Sequence, residues 1–155
     1  MPTPHPALAR AEAFCQAHDL TLPILLAPMA GACPPSLSIT VAKAGGLGAC
    51  GALLMQPSAI KDWASQVREG SNGGFQINLW IPDPAPARDA AAEDKVRAFL
   101  KDWGPEVAPE AGDATPPDFA AQCEAMLEAG PAIISSIMGL YPPAFVEKMR
   151  ARGIR

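Results

Sequence analysis

The chain has few of the residues that do acid–base, metal or nucleic-acid chemistry. Charged residues make up 18% of its 155 positions, and its two histidines, His5 and His18, both precede the first predicted strand. There is no cluster of lysine and arginine, and the formal net charge is -4, which argues against a nucleic-acid surface. No basic amphipathic face offers itself to a membrane either. No apolar run reaches the ~18–20 residues that a membrane helix needs. The strongest candidate is broken by Pro28 and by Pro34-Pro35. The opening MPTPHPALARAEAF lacks the charged-then-apolar layout of a secretory signal, so a cytoplasmic location is expected. The cysteines Cys15, Cys33, Cys50 and Cys123 show no CxxC spacing, which speaks against a metal site or a disulfide framework. They are expected to be small buried hydrophobes, with Cys33 and Cys50 beside strand ends, lining a pocket without reacting in it. GxGxxG is absent, so a Rossmann fingerprint is not supported.

What is there is organised around Pro23–Gly51, PILLAPMAGACPPSLSITVAKAGGLGACG. The apolar run Ile24–Ala27 reads as a strand buried on both faces, as helices on a parallel sheet require. It ends at Pro28-Met29-Ala30-Gly31. A helix from Ser36 to Lys43 follows, stopped by Gly45, and a short strand occupies Leu47–Ala49. Before this core, Pro6–His18 is predicted helical, with Ala7, Leu8, Ala11, Phe14 and Cys15 on one face, as a cover at the bottom of the domain. After it, Ser58 is a candidate N-cap for a helix closed by Gly70, with the stripe Ile60, Trp63, Ala64 and Val67. Phe75–Leu79 is the third strand, and Pro82, Pro84 and Pro86 forbid its continuation. Ala87–Trp103 reads as a helix carrying Val96, Phe99, Leu100 and Trp103. Residues 104–117 are a proline-rich loop or insertion. Asp118 caps a helix over Phe119–Ala129, Ala132–Ser136 is the fourth strand, and a last helix starts at Pro142-Pro143 and reaches Gly153. Ile154-Arg155 resembles the start of another strand.

Alternation of this kind gives an open doubly wound sheet or a closed (β/α)8 barrel. About four βα units are visible, and a barrel typically needs ~250 residues. The expected fold is α/β, a partial TIM-type (β/α)8 barrel made of its first four units, with residues 1–155 as one domain. Such a half would expose parallel sheet edges, through which it could self-associate.

In that fold the site collects at the C-terminal ends of the strands. Those ends are Pro28-Met29-Ala30-Gly31, Gly51-Ala52, Asn78-Leu79-Trp80 and Ser135-Ser136. Small residues let a flat ring approach the backbone, and Asn78 can both donate to and accept from a heterocycle edge. No carboxylate stands at these positions, so the residues offer a binding face and no general base or nucleophile. Plainer readings stand beside these. AGGLG is equally a helix stop with a tight turn, Asn78 an Asx turn, and Ser135-Ser136 a turn cap. Met29 and the tryptophans are equally packing residues.

Taken together, PILLAPMAG, VAKAGGLGACGALL, GGFQINLW and AIISSIMG resemble, in order and spacing, the nitronate monooxygenase family, over about Leu22 to Gly139. The resemblance implies an FMN-binding (β/α)8 barrel that oxidises alkyl nitronates with O2. It implies that Ala27, Pro28 and Met29 lie against the isoalloxazine ring, that Asn78 hydrogen-bonds the flavin, and that Ser135 belongs to the pocket wall. The family's catalytic histidine and its glycine-rich phosphate loops lie in the second half of the barrel, so no catalytic residue is assigned within this chain. Two alternatives remain: a related FMN-dependent enoyl reductase, and a non-catalytic flavin-binding half-barrel or dimerising module.

Overall fold

The structure, a computed structural model, describes residues 5–72, 74–84 and 87–155. Two compact units are present: Met1–Ile81 together with Pro117–Arg155, and Pro82–Pro116. In chain order the elements of the larger unit are α1 (Pro6–His18), α2 (Pro35–Lys43), β1 (Gly48–Gly51), α3 (Pro57–Gly70) and β2 (Phe75–Trp80). The smaller unit contributes α4 (Ala90–Leu100) and a 3-10 turn (Pro109–Asp113). The larger one then resumes with α5 (Phe119–Ala129), β3 (Ile133–Ile137) and α6 (Pro143–Ala151).

The three strands form a parallel sheet in the order β1-β2-β3, with Gly51 opposite Asn78 and Asn78 opposite Ser135. The register assigns the two faces. Phe75, Ile77 and Leu79 of β2 join Ile134 of β3 in the core, against Ile60, Trp63, Ala64 and Val67 of α3 and Cys123, Met126 and Leu127 of α5. Gln76, Asn78 and Trp80 alternate with them and face the other way. Helix α3 owes its place to that stripe, which repeats at the spacing of one helical face. Its start differs from the expectation. Gln56, not Ser58, is the N-cap, because Pro57 takes the first helical position, where its missing N–H costs nothing. Gly70 is the last helical residue and Ser71 follows it, with the Ser71 hydroxyl donating to the Val67 carbonyl at 2.7 Å. Asp118 does cap α5, accepting from the Ala121 amide at 2.7 Å, and Gly130 ends it in the left-handed region at φ 57°.

The expected first strand, Ile24–Ala27, is not a regular strand. The segment pairs with the β1 side through two isolated parallel bridges, Leu25 to Leu47 and Ala30 to Gly51. From the first bridge to the second it advances five residues while its partner advances four, so it carries one extra residue, as a β-bulge does. On the opposite edge, the Ile134 amide donates to the Arg155 carbonyl at 2.9 Å and the Arg155 amide to the Ala132 carbonyl at 3.2 Å, the parallel pairing expected there. The Arg155 guanidinium also reaches the Ala17 carbonyl at 2.5 Å, which sets the end of α1 at the N-terminal ends of the strands. Helix α1 buries only Cys15, and Leu8 is exposed.

Helix α4 is shorter than the predicted Ala87–Trp103. Its start is fixed by Asp89, whose carboxylate accepts from the Ala91 and Ala92 amides at 3.1 Å each. None of its residues is buried, and Val96, Phe99 and Leu100, together with Trp103 beyond its end, are exposed. Arg88 bonds Glu93 at 2.5 Å and Asp113 at 2.5 Å, and its guanidinium holds the Glu93 carboxyl down to about 2. A carboxyl depressed in the folded state adds stability above its unfolded pKa of ~4.3, stability that is lost as pH falls through the folded value. An NMR titration that follows the backbone amides of Ala90–Leu100 is expected to be flat from pH 7 to about 5. Loss of helical signal from Arg88–Glu93 should begin only below about 4 and be weaker in high salt. A transition centred near pH 6 would contradict this.

Candidate functional site

The bulge follows from one residue type. After the Leu25–Leu47 bridge, where Leu47 donates to Ile24 and Leu26 donates to Leu47 at 2.9 Å each, a continuing ladder would join Ala49 to Leu26 and residue 28 to Ala49. Residue 28 is proline and has no N–H. Every buried backbone group then needs another partner, and side chains supply them. The Ser38 hydroxyl donates to the Ala49 carbonyl at 2.9 Å and accepts from the Ala49 amide at 3.0 Å. The Gln76 side-chain amide donates to the Leu26 carbonyl at 2.9 Å. The Cys33 thiol donates to the Ala27 carbonyl and accepts from the Met29 amide, both at 3.3 Å. Cys33 is itself anchored, since the Trp63 indole N–H donates to its carbonyl at 2.9 Å.

Ala27, Pro28 and Met29 thus stand on the bulge at the C-terminal end of the edge segment, and Met29 is 42% exposed. The next row crosses the sheet as Ala30, Gly51, Asn78 and Ser135, all four in register. At one spacing per strand that row is about 14 Å wide. Gly51 is essential to it: a Cβ there would lie 2.6 Å from the Ala30 nitrogen. Asn78 donates from its side-chain nitrogen to the Ser135 hydroxyl oxygen at 2.9 Å. With that bond made, Asn78 still offers its amide oxygen and Ser135 its hydroxyl proton. Above the row, Trp80 and Ile137 are opposite one another and 45% and 46% exposed. Met138, next along, takes the left-handed conformation at φ 67°, a costly one for a side chain of its size. The loop after β1 is held by the buried Gln122, whose side-chain amide donates to the carbonyls of Ala52 at 3.1 Å and Met55 at 2.8 Å.

The face is almost free of ionisable groups. The Cys50 thiol lies on the helix side of β1, and burial, with a lesser contribution from Cys33, pushes it up to about 12, so it stays protonated and unreactive. Burial likewise raises Tyr141, whose hydroxyl donates to the Ser135 carbonyl at 3.1 Å and braces the end of β3. Among the described residues no group of three or more His, Cys, Asp or Glu is placed to hold a metal ion, and no helix is long and apolar enough to cross a membrane. The surface depression between α3 and α5 is a separate feature. Its Lys61 pairs with Glu128 at 3.1 Å, and its Arg68 donates to the Gly130 carbonyl at 3.0 Å and lies over the Phe75 ring. What the strand ends can do chemically is accept a flat, largely apolar ring edge-on to one amide and one hydroxyl.

Residues 12–155 match the family described as nitronate monooxygenase. The chain belongs to that family. A nitronate monooxygenase of Paraburkholderia phytofirmans is 34% identical over 146 residues, covering 86% of this chain and 38% of its own length. A probable nitronate monooxygenase of Staphylococcus aureus is 30% identical over 85 residues, covering 55% of this chain and 24% of its own. Among solved structures, the nitroalkane oxidase from Streptomyces ansochromogenes superposes with a TM-score of 0.72 at 23% identity, over 90% of this chain and 40% of that one. FabK from Thermotoga maritima gives 0.62 at 20% identity, over 92% and 35%. The chain therefore spans well under half the length of these relatives, and its parallel α/β architecture is theirs.

The residues that the sequence offered as this nitronate monooxygenase family member's cofactor face fall into two groups. Asn78 and Ser135 are brought into direct contact, and Ala27, Pro28 and Met29 share the neighbouring bulge. Three supports escaped sequence reasoning: Ser38, Gln76 and Gln122. Each is buried and polar, Ser38 and Gln122 on helical faces and Gln76 on the sheet face turned away from the core. Ser38 and Gln122 interrupt the apolar stripes of α2 and α5, and that interruption was the available signal.

Proposed function

We propose that residues 1–155 form the first four βα units of a TIM-type barrel and carry the flavin-ring side of an FMN-dependent nitronate monooxygenase, an oxidoreductase that oxidises alkyl nitronates with O2. The observation that carries the reading is the row Ala30–Gly51–Asn78–Ser135 beside the Ala27–Met29 bulge, in a chain of this family. The fit rests on what this chain presents: backbone bared at Gly51, exposed apolar surface at Met29, and one paired amide and hydroxyl in otherwise apolar surroundings. In this reading Ala27, Pro28 and Met29 lie against the ring. Asn78 bonds the heterocycle edge while Ser135 fixes its amide orientation, and Trp80 and Ile137 shield that edge from water. FMN, when bound, supplies the redox chemistry toward nitronate and O2. The proton-transfer residue and the phosphate site belong to the part of the barrel that follows these four units.

The test is an equilibrium absorption titration of FMN with the purified chain, because a ring face without the phosphate site would release flavin on desalting. A saturable shift of the flavin bands is expected, and bands that stay those of free FMN up to about 1 mM chain would overturn the assignment. Asn78→Leu, which keeps the volume and removes the hydrogen bonds, is expected to weaken FMN binding about tenfold, as loss of one hydrogen bond to a polar edge implies. Unchanged affinity would remove Asn78 from the site. A related FMN enzyme that consumes NAD(P)H, such as an enoyl reductase, is the second reading, favoured by the fold shared with FabK. NAD(P)H oxidation by the flavin-loaded protein would select it. A flavin-free chain that sediments as a dimer would instead favour a non-catalytic module completed through its sheet edges.

A further inference from the structure

The bulge has no ladder of its own to hold it, and a cysteine takes the place that strand pairing would fill. We propose that Cys33 is a positioning residue for the flavin-facing bulge, an inference that rests on the flavin reading above. Its thiol is the only described side-chain group that bonds both sides of Pro28, donating to the Ala27 carbonyl and accepting from the Met29 amide. A thiol can play both roles at once. Two further restraints make the arrangement a built one. The Trp63 indole fixes the Cys33 carbonyl from α3, and Ser38 and Gln76 fill the ladder positions on either side, at Ala49 and Leu26. The Ala27–Pro28–Met29 backbone is therefore presented in one conformation before any ligand arrives, and a preformed face loses less freedom on binding. Cys33 is 7% exposed, and its thiol bonds the proposed ring-facing positions at backbone atoms, the Ala27 carbonyl and the Met29 amide.

The test uses the full chain in three variants. Cys33→Ala removes both hydrogen bonds, Cys33→Val removes them while keeping the volume filled, and Cys33→Ser keeps a group that donates and accepts. Two quantities are read: hydrogen exchange at the Met29 amide without ligand, and the FMN dissociation constant. For alanine and valine, Met29 exchange is expected to quicken at least about tenfold while the Ile77 and Met126 amides, in the core, stay as in the parent. The FMN dissociation constant should rise about tenfold, the change that loss of roughly 1.4 kcal/mol produces. Serine is expected to restore both to within about threefold. Met29 exchange unchanged in both apolar variants would overturn the proposal and leave the flavin reading intact. Faster exchange with unchanged FMN affinity would overturn it as well. A parent chain that shows no FMN binding in the equilibrium titration would instead sink the flavin reading and the inference with it, whatever the exchange rates.

Discussion

Replacing Phe75 with alanine is expected to destabilise the chain by about 3–5 kcal/mol, the cost of deleting a buried aromatic ring and leaving a cavity. Phe75 is fully buried at the start of β2, where its ring meets Trp63 edge-on at 5.4 Å. The Arg68 guanidinium lies 5.1 Å above the same ring and bonds the carbonyls of Ala129 and Gly130. The ring therefore ties β2, α3 and the end of α5 together. Most domains have only ~5–15 kcal/mol in total, so the variant should lie close to the unfolding midpoint. Urea denaturation followed by tryptophan fluorescence reads the loss, since Trp63 is buried while Trp80 and Trp103 are exposed. Phe99→Ala is the contrast, because Phe99 is exposed on α4, and a change within ~0.5 kcal/mol is expected there. A Phe75→Ala midpoint within error of the parent would mean that the helices do not depend on this face of the sheet.

How much of this was legible beforehand depended on whether the signal was periodic. Helix α3 announced itself because four apolar residues repeat on one face, and all four are buried. Asn78 and Ser135 were legible as strand ends, and their mutual hydrogen bond follows from a register that neither strand reveals alone. The edge segment misled because Ile24–Ala27 has the composition of a strand, and composition does not report that Pro28 leaves the Ala49 carbonyl without a donor. Seeing that requires knowing which residue lies opposite, a tertiary fact. Ser38 was hidden for the same reason: a serine on an inward helical face looks like a packing compromise until the unpaired backbone beneath it is known. The Phe99 and Trp103 pattern was legible in part, since the helix is there but ends at Leu100. A helical period was present, but the helix belongs to Pro82–Pro116, where none of its residues is buried. Periodicity predicted the helix and could not say what, if anything, it packs on.

Gly51→Ala is expected to have the largest effect on the site for the smallest chemical change. An added Cβ would lie 2.6 Å from the Ala30 nitrogen and 2.8 Å from the Met29 carbonyl carbon. Both are backbone atoms, so no rotamer change can relieve the overlap, and either β1 or the bulge must move. The bulge yields first, since two isolated bridges and a few side-chain bonds hold it, whereas β1 is paired along its whole length with β2. Overpacking of this kind costs about 1–3 kcal/mol. The displaced atoms are those proposed to face the flavin ring, so the FMN dissociation constant should rise by more than the tenfold expected for Asn78→Leu, while denaturation shows a smaller loss than Phe75→Ala. Gly104→Ala, where nothing lies within 4 Å of the added carbon, is the control and should leave both quantities unchanged. Isothermal titration with FMN and a urea melt on the same three proteins separate the two effects. A Gly51→Ala protein that binds FMN like its parent would show that the bulge can retreat without consequence, and the cofactor face would then have to be sought away from the Ala27–Met29 backbone.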